Sequence, residues 1–161
     1  METILKADSM TIEKYLNVVD GRFRIPFTQR PYEWTQKQVS RLFYDAITVA
    51  EEKDHQHILN FVTIYKEEVD GQAYRNIYDG QQRTVTLFLL IAAFAEVIEE
   101  LEGNDSSSSK IRSEFLRKEG WRIVKEPNLV FDDEHTTKFF EGYVVDRKDL
   151  DDFLITDHEK Y

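Results

Sequence analysis

A predicted strand that ends in Asp-Gly and runs directly into a long apolar helix constrains this chain more than any other feature. Residues 73–78 are predicted to form the strand, which Asp79 and Gly80 close. No strand follows this pair. Residues 84–101 instead carry apolar side chains almost all round the first half of a predicted helix. A helix that is apolar on every side must be buried, so we expect it at the centre of the fold.

A second Asp-Gly pair, Asp70-Gly71, lies between β-rich residues 58–65 and the strand at 73–78. A type I′ turn needs positive φ at both central residues, and Asp-Gly meets that need. The sequence therefore predicts a hairpin immediately before the long helix.

Helical and strand patterns are mixed along the chain, which indicates an α+β fold. Thr35 and Gln38 form a T-x-x-Q capping box before an amphipathic helix. Residues 22–27 alternate charged and apolar side chains, as a half-buried strand does. Hydrophobic residues make up 41% of the 161 residues, which suffices for a globular core. We expect a small mixed sheet with a hairpin, packed on the long buried helix and followed by additional helices.

The composition predicts three parts. Residues 1–103 are expected to form the core, with Gly103 as the C-cap of the long helix. Residues 104–110 contain four consecutive serines and are expected to form a flexible loop. Residues 111–161 are expected to form a helical extension that begins a longer C-terminal part.

Charge and residue usage exclude several functions. The formal net charge of −10 disfavours a self-sufficient, non-specific DNA binder, because the surface repels phosphate backbones. The chain has no cysteine, which excludes a disulfide framework, a thiolate nucleophile and a cysteine metal site. The N-terminus lacks a signal-peptide pattern, and the longest apolar run, residues 87–95, cannot span a bilayer. We expect a soluble, cytoplasmic protein with no membrane partner.

The turn Asp79-Gly80-Gln81-Gln82-Arg83 is the best candidate for chemistry. The first four N–H groups of a helix have no intrahelical partner, and the helix dipole favours an anion there. Gly80 allows a ligand to approach the backbone, and Arg83 adds a guanidinium suited to phosphate. In the alternative interpretation Arg83 pairs with Asp79 or another carboxylate, and the turn is only a connection.

Residues 24–34 form the second candidate segment. Gln29 and Arg30 would line the same pocket as Arg83. In the alternative interpretation Tyr32 and Trp34 anchor a rigid loop against the core, and Arg30 is solvated.

These two segments resemble the motifs of one known family. Residues 23–34 resemble its I-P-x-x-Q-R-x-Y-x-W element, and residues 77–87 resemble its D-G-Q-Q-R-L-T-T-L element. The family is a domain-of-unknown-function group with a ParB/sulfiredoxin-like fold. It forms the N-terminal part of GmrSD-type modification-dependent (type IV) restriction enzymes and occurs in SspE-type anti-phage proteins. This chain departs from the pattern at Asn60, where the family has Gly, and at Thr84 and Val85, where it has Leu-Thr.

The resemblance implies a nucleoside-triphosphate site at the turn, with Mg²⁺ as the accompanying ion and its ligands left open. Carried over by position, the residues that bind the nucleotide are Gly80, Gln81, Gln29 and Arg30. The implied catalytic group is Asp79, Gln82 and Arg83. Asp79 would orient Arg83 or hold Mg²⁺, and Gln81 or Gln82 would position water.

The resemblance also implies partners. DNA would be cut by a C-terminal nuclease module or subunit. Modified DNA would be bound by the full-length assembly. A homo-oligomer is compatible with the pattern. Two functions stay open at this point. One is a domain that binds nucleoside triphosphates, with or without hydrolysis. The other is a non-catalytic sensor of DNA modification, or a regulatory or assembly module.

Overall fold

The computed structural model describes residues 6–17, 20–52, 56–103, 106–119 and 125–148. Its helices are α1 (Ile12–Leu16), α2 (Gln36–Glu51), α3 (Gln81–Glu102), α4 (Ser106–Ile111) and α5 (Glu134–Phe139). Its strands are β1 (Arg22–Ile25), β2 (Thr63–Val69), β3 (Gln72–Asp79), β4 (Arg117–Glu119), β5 (Lys125–Pro127) and β6 (Leu129–Phe131). Two π-helical segments, Arg112–Leu116 and Phe140–Val145, continue α4 and α5. The predicted α+β class is confirmed.

A mixed sheet in the order β2-β3-β1-β6 lies at the centre of the fold. Strand β1 pairs in parallel with both β3 and β6, whereas β2 and β3 form the antiparallel hairpin. Strand β1 ends before Pro26, which has no N–H to donate to a ladder. Because β1 and β3 are parallel neighbours, the loop after β1 and the turn after β3 emerge at the same edge of the sheet.

Helix α3 covers one face of this sheet. Phe23 and Ile77 alternate with polar residues along β1 and β3, so their side chains point to the same face. The Phe88 ring of α3 meets Phe23 edge to face, with 5.8 Å between centroids. Residues 84–88 of α3 are all buried, which confirms the predicted burial of its first half. Its second half exposes Phe94, Val97 and Leu101.

Helix α2 begins as the sequence predicts, at the capping box of Thr35 and Gln38. The Gln38 Oε1 accepts a hydrogen bond from the Thr35 amide at 3.0 Å. Of its apolar face only Leu42 is buried. The helix therefore packs on the core along a narrower stripe than its periodicity suggests.

The hairpin turn at Asp70-Gly71 is confirmed, because both residues have positive φ. The predicted start of its first strand is wrong. Strand β2 begins at Thr63 rather than near residue 58. Asn60 has φ +74°, which interrupts an extended chain.

The predicted flexible loop over residues 104–110 is also wrong over its described part, because Ser106 begins α4. Ser108 is fully buried and its hydroxyl contacts Glu99 Oε2 of α3 at 3.4 Å. Packing on α3 thus overrides the low helix propensity of serine. Gly103 is the left-handed C-cap of α3, as predicted. The extended piece predicted at residues 121–124 and the end of the chain from 149 lie outside the described residues, and the division into three parts stays a prediction.

Substituting Phe88 tests the sheet–helix contact. Phe88→Ala is expected to lower the free energy of unfolding by about 3–5 kcal/mol, because it leaves a cavity between α3 and the sheet. Chemical denaturation measures the change. The control is Phe94→Ala on the exposed half of α3, which should cost about 1 kcal/mol because it loses mainly one stacked ring contact. Equal losses in the two variants would contradict the assignment of the core.

Candidate functional site

The pocket at the edge of the sheet has a volume of about 260 Å³ and is built from two segments. The loop after β1 and the turn after β3 supply its walls because the two strands run in parallel. The lining residues are Gln29, Arg30, Trp34, Asp79, Gly80, Gln81, Gln82 and Arg83. The structure thus brings together every site residue that the sequence singled out, and it adds Trp34.

Gly80 is required at the turn for two independent reasons. Its φ is +92°, a left-handed conformation that residues with a Cβ seldom adopt. An added Cβ would also lie 2.9 Å from the Val62 Cγ2. The Asp79 Oδ1 accepts a hydrogen bond from the Gly80 amide at 2.8 Å and fixes the approach to the helix.

The first turn of α3 presents free backbone donors to this pocket. The first intrahelical bond is donated by the Thr84 amide to the Gly80 carbonyl, at 3.0 Å. Gly80 has no side chain that could cap the helix. Within the described residues, no acceptor lies against the amides of Gln81, Gln82 and Arg83. These amides and the helix dipole favour an anion.

The two glutamines of the turn hold the loop after β1. The Gln82 Oε1 accepts from the amides of Glu33 and Trp34, at 2.8 and 3.2 Å, and its Nε2 donates to the Pro31 carbonyl at 2.8 Å. The Gln81 Nε2 donates to the Arg30 carbonyl. Both acceptor positions of the Gln82 Oε1 and one of its two N–H groups are therefore engaged in fixing the pocket wall.

Gln81 also carries an unsatisfied acceptor. The residue is 7% exposed, and its buried Oε1 has no hydrogen-bond partner among the described residues. Leaving a buried acceptor unpaired costs about 1–3 kcal/mol.

Arg83 does not pair with Asp79. Its guanidinium instead donates to the carbonyls of Leu59 and Phe61, at 3.1 and 2.9 Å. Asn60, between them, has φ +74°, a conformation that glycine adopts freely and that asparagine tolerates better than most residues. Asn60 therefore meets the backbone requirement at the position where the resemblance predicts glycine. No carboxylate among the described residues neutralises the guanidinium beside the pocket, because its partners are backbone carbonyls.

Arg30 is the second cation of the pocket. Its side chain is exposed, and its guanidinium contacts no carboxylate in the described part of the chain. The neighbouring Gln29 donates from Nε2 to the Tyr78 carbonyl at 3.0 Å, so the loop that carries Arg30 is tied to β3. Arg30 is thus solvated, as the alternative interpretation predicts, and it also lines the pocket, as the first interpretation predicts.

Two buried threonines support the floor of the site. Thr84 Oγ1 lies 2.8 Å from the Tyr15 hydroxyl, and Thr86 Oγ1 lies 2.8 Å from the Tyr32 hydroxyl. Burial raises the pKa of the Tyr15 phenol to about 12, so this phenol is neutral at physiological pH. These contacts position α3 but supply no acid or base.

A larger cleft of about 530 Å³ lies on the sheet face opposite α3, beside Arg22 and Arg24. Arg22 is paired with Glu126 at 2.9 Å, and Arg24 with Asp132 and Glu67. An anion in this cleft would compete with carboxylates that already neutralise both arginines. The smaller pocket at the Asp79–Arg83 turn is therefore the better anion site.

The chain matches a known protein family over most of its length. The model of the family described as "GmrSD restriction endonuclease, N-terminal domain" matches residues 12–161. The chain belongs to this family. It is therefore the N-terminal module of a restriction or defence protein, and the family implies a partner nuclease domain. No curated protein matches the chain.

The roles of the site residues stay predictions. Among the described contacts, Asp79 accepts from the Gly80 amide, and the Arg83 guanidinium donates to backbone carbonyls instead of Asp79. Sequence reasoning did not anticipate the contribution of Leu59 and Phe61, whose carbonyls hold Arg83. Asn60 between them was the available signal, as a residue typical of left-handed conformations. Among the described helices, none combines the length and apolar character that crossing a bilayer requires.

Removing the side-chain amide of Gln82 tests whether this residue holds the loop after β1. Gln82→Met is expected to lower the free energy of unfolding by about 1–3 kcal/mol, because three hydrogen bonds to the loop are lost. Amide hydrogen exchange measured by NMR should be about tenfold faster at Glu33 and Trp34, which lose their acceptor. Gln36→Met, on the exposed start of α2, is the matched control. Unchanged exchange at Glu33 and Trp34 would show that the loop does not depend on Gln82.

Proposed function

We propose that this domain binds the phosphates of a nucleoside triphosphate, with Mg²⁺, in the pocket at the Asp79–Arg83 turn. The observation that carries the proposal is the convergence of three kinds of donor on one pocket. They are the free amides at the start of α3, the solvated guanidinium of Arg30 and the charged guanidinium of Arg83. Phosphate oxygens accept from all three.

The size of the pocket suits phosphates rather than a whole nucleotide. Its volume of about 260 Å³ lies below the roughly 300–1,000 Å³ of pockets that enclose a drug-sized ligand. The sugar and base would therefore extend past the rim. Trp34 lies at that wall and offers an aromatic surface to a base.

Binding is better supported than hydrolysis. The Oε1 of Gln82 already accepts two hydrogen bonds from the loop, so it is not free to accept one from an attacking water. A hydrolytic site would stabilise the charge that develops on the transferred phosphoryl group. Arg83 and the helix amides would do this here, with Asp79 and Mg²⁺. The competing function is that of a non-catalytic module that senses modified DNA. In that case Gln82 would serve only to hold the loop after β1.

The acidic surface suggests that DNA is bound by other parts of the restriction protein. A net charge of −10 opposes tight binding of DNA by this domain alone. Modified DNA would then be recognised by the full assembly and cut by its nuclease part. Nucleotide binding here would regulate that assembly.

Arg30→Ala tests the proposal with little structural risk, because the side chain has no partner among the described residues. Its loss should weaken the binding of ATP with Mg²⁺ by about tenfold or more, the worth of one hydrogen bond to a charged group. Isothermal titration calorimetry at two salt concentrations measures the change, and a charge-dependent site should weaken with salt.

Lys138→Ala is the control, because it removes one positive charge from the exposed face of α5. It should leave the affinity unchanged. Thermal unfolding of both variants should match the wild type. Equal affinity in wild type and Arg30→Ala would remove Arg30 from the site, and no binding of ATP, UTP or inorganic triphosphate by the folded chain would overturn the proposal.

A further inference from the structure

The second half of α3 carries a row of apolar side chains that the described part of the fold does not cover. Phe94, Val97 and Leu101 are 46, 49 and 81% exposed. The half-buried Leu90 precedes them on the same side of the helix. Single exposed apolar residues are normal, whereas a continuous row of them marks an interaction site. These four residues form the outer stripe of α3, and Phe43 of α2 borders it, because its ring stacks on Phe94 with 6.0 Å between centroids.

The spacing of the outer stripe selects a helix as its partner. Residues 90, 94, 97 and 101 follow one another at intervals of four, three and four, which is the a/d spacing of a coiled-coil seam. At a rise of about 1.5 Å per residue the stripe is about 16 Å long, so a helix of about three turns covers it. A β-strand fits poorly, because its side chains alternate with a period of two.

The charge beside the outer stripe selects a basic helix. Glu100 and Glu102 are exposed, and at about 100° per residue they flank Leu101 on its two sides. Helix α3 has no basic residue in its last turn. Both carboxylates lie at the negative end of the helix dipole, where a negative charge is unfavourable. Lysine or arginine from a partner would relieve this unfavourable interaction.

The other two glutamates in this half of α3 already have a cation. Arg147 contacts Glu96 at 3.1 Å and also contacts Glu99. No such cation reaches Glu100 or Glu102 from the residues that the structure describes. The chain thus neutralises the glutamates that face its own later segment and leaves the two beside the outer stripe unneutralised.

We propose that the outer stripe is the docking surface for a basic amphipathic helix. Apolar side chains of that helix pack on the stripe, and its lysines or arginines pair with Glu100 and Glu102. A second copy of this chain fits less well, because it would bring a further net charge of −10 to the contact. The phosphate pocket is not involved, since Gln81 at the start of α3 lies about 30 Å from Leu101 at about 1.5 Å per residue.

A designed peptide tests this surface. The probe is a fluorescent peptide of about 21 residues with leucine at a and d and lysine at e and g, where the lysines keep it from pairing with itself. Its binding to the 161-residue chain is followed by fluorescence anisotropy at two salt concentrations. The wild type should bind, and more weakly at high salt, because charges contribute to the attraction. In NMR spectra the amide signals of Val97 and Leu101 should shift, whereas that of Gly80 should not.

Two double variants separate the apolar contribution from the charged one. Val97→Gln with Leu101→Gln should weaken peptide binding about tenfold or more, because two aliphatic side chains are no longer buried. Glutamine keeps a high helix propensity, so thermal unfolding should stay close to that of the wild type. Glu100→Gln with Glu102→Gln should weaken binding about three- to tenfold and reduce its salt dependence.

The control makes both kinds of change outside α3. Ile58→Gln with Glu68→Gln alters one exposed apolar residue and one exposed carboxylate, and it should leave the affinity for the peptide unchanged. A second peptide of the same composition in scrambled order has no apolar face. It should bind the wild type about tenfold more weakly than the designed peptide.

The outcomes decide between the possible occupants. Loss of binding in Val97→Gln with Leu101→Gln, with binding retained in the control, would establish the outer stripe as the docking surface. Equal binding by that variant and the wild type would overturn the proposal, as would no binding by the folded wild type. Equal binding of the scrambled peptide would reduce the contact to charge alone and overturn it too. A wild-type dimer in ultracentrifugation that Leu101→Gln dissociates would assign the stripe to a second copy instead.

Discussion

The parallel pairing of β1 with β3 is the constraint on which the site depends. Parallel neighbours end at the same edge of a sheet, so the loop that follows β1 must meet the turn that follows β3. Had the two strands been antiparallel, Arg30 and Gly80 would lie at opposite ends. The pairing is maintained by burial, because Phe23 and Ile77 on these strands contact the core beneath α3. Substrate sites at the carboxyl ends of parallel strands are a general consequence of this geometry.

Hydrogen bonds from the turn to the loop after β1 and to residues 59–61 then fix the walls of the pocket. Gln82 holds the backbone of residues 31–34, and Arg83 holds the carbonyls of residues 59 and 61. Both side chains leave from the first turn of α3, whose residues 84–88 are all buried. The motif therefore does two things at once. Its first backbone amides have no acceptor among the described residues, while its side chains position the walls of the pocket.

The sequence predicted local features well where one or two residues determine the geometry. The capping box at Thr35 and the turn at Asp70-Gly71 follow from the chemistry of those residues alone. The start of β2 could not be predicted in this way, because Arg83, more than twenty residues away, engages the carbonyls on either side of Asn60. The serines of α4 were misjudged for the same reason, since contact with α3 decides their conformation. For the site, residue types and motif order sufficed to name the lining residues. The engagement of Gln82 depends on tertiary contacts that periodicity does not encode.

The division of the D-G-Q-Q-R turn into ligand-facing and structural groups bears on how such a domain could signal. A ligand at the start of α3 would contact the backbone amides of Gln82 and Arg83. The side chains of these two residues hold residues 31–34 and residues 59–61. A shift of the turn would therefore move both segments together.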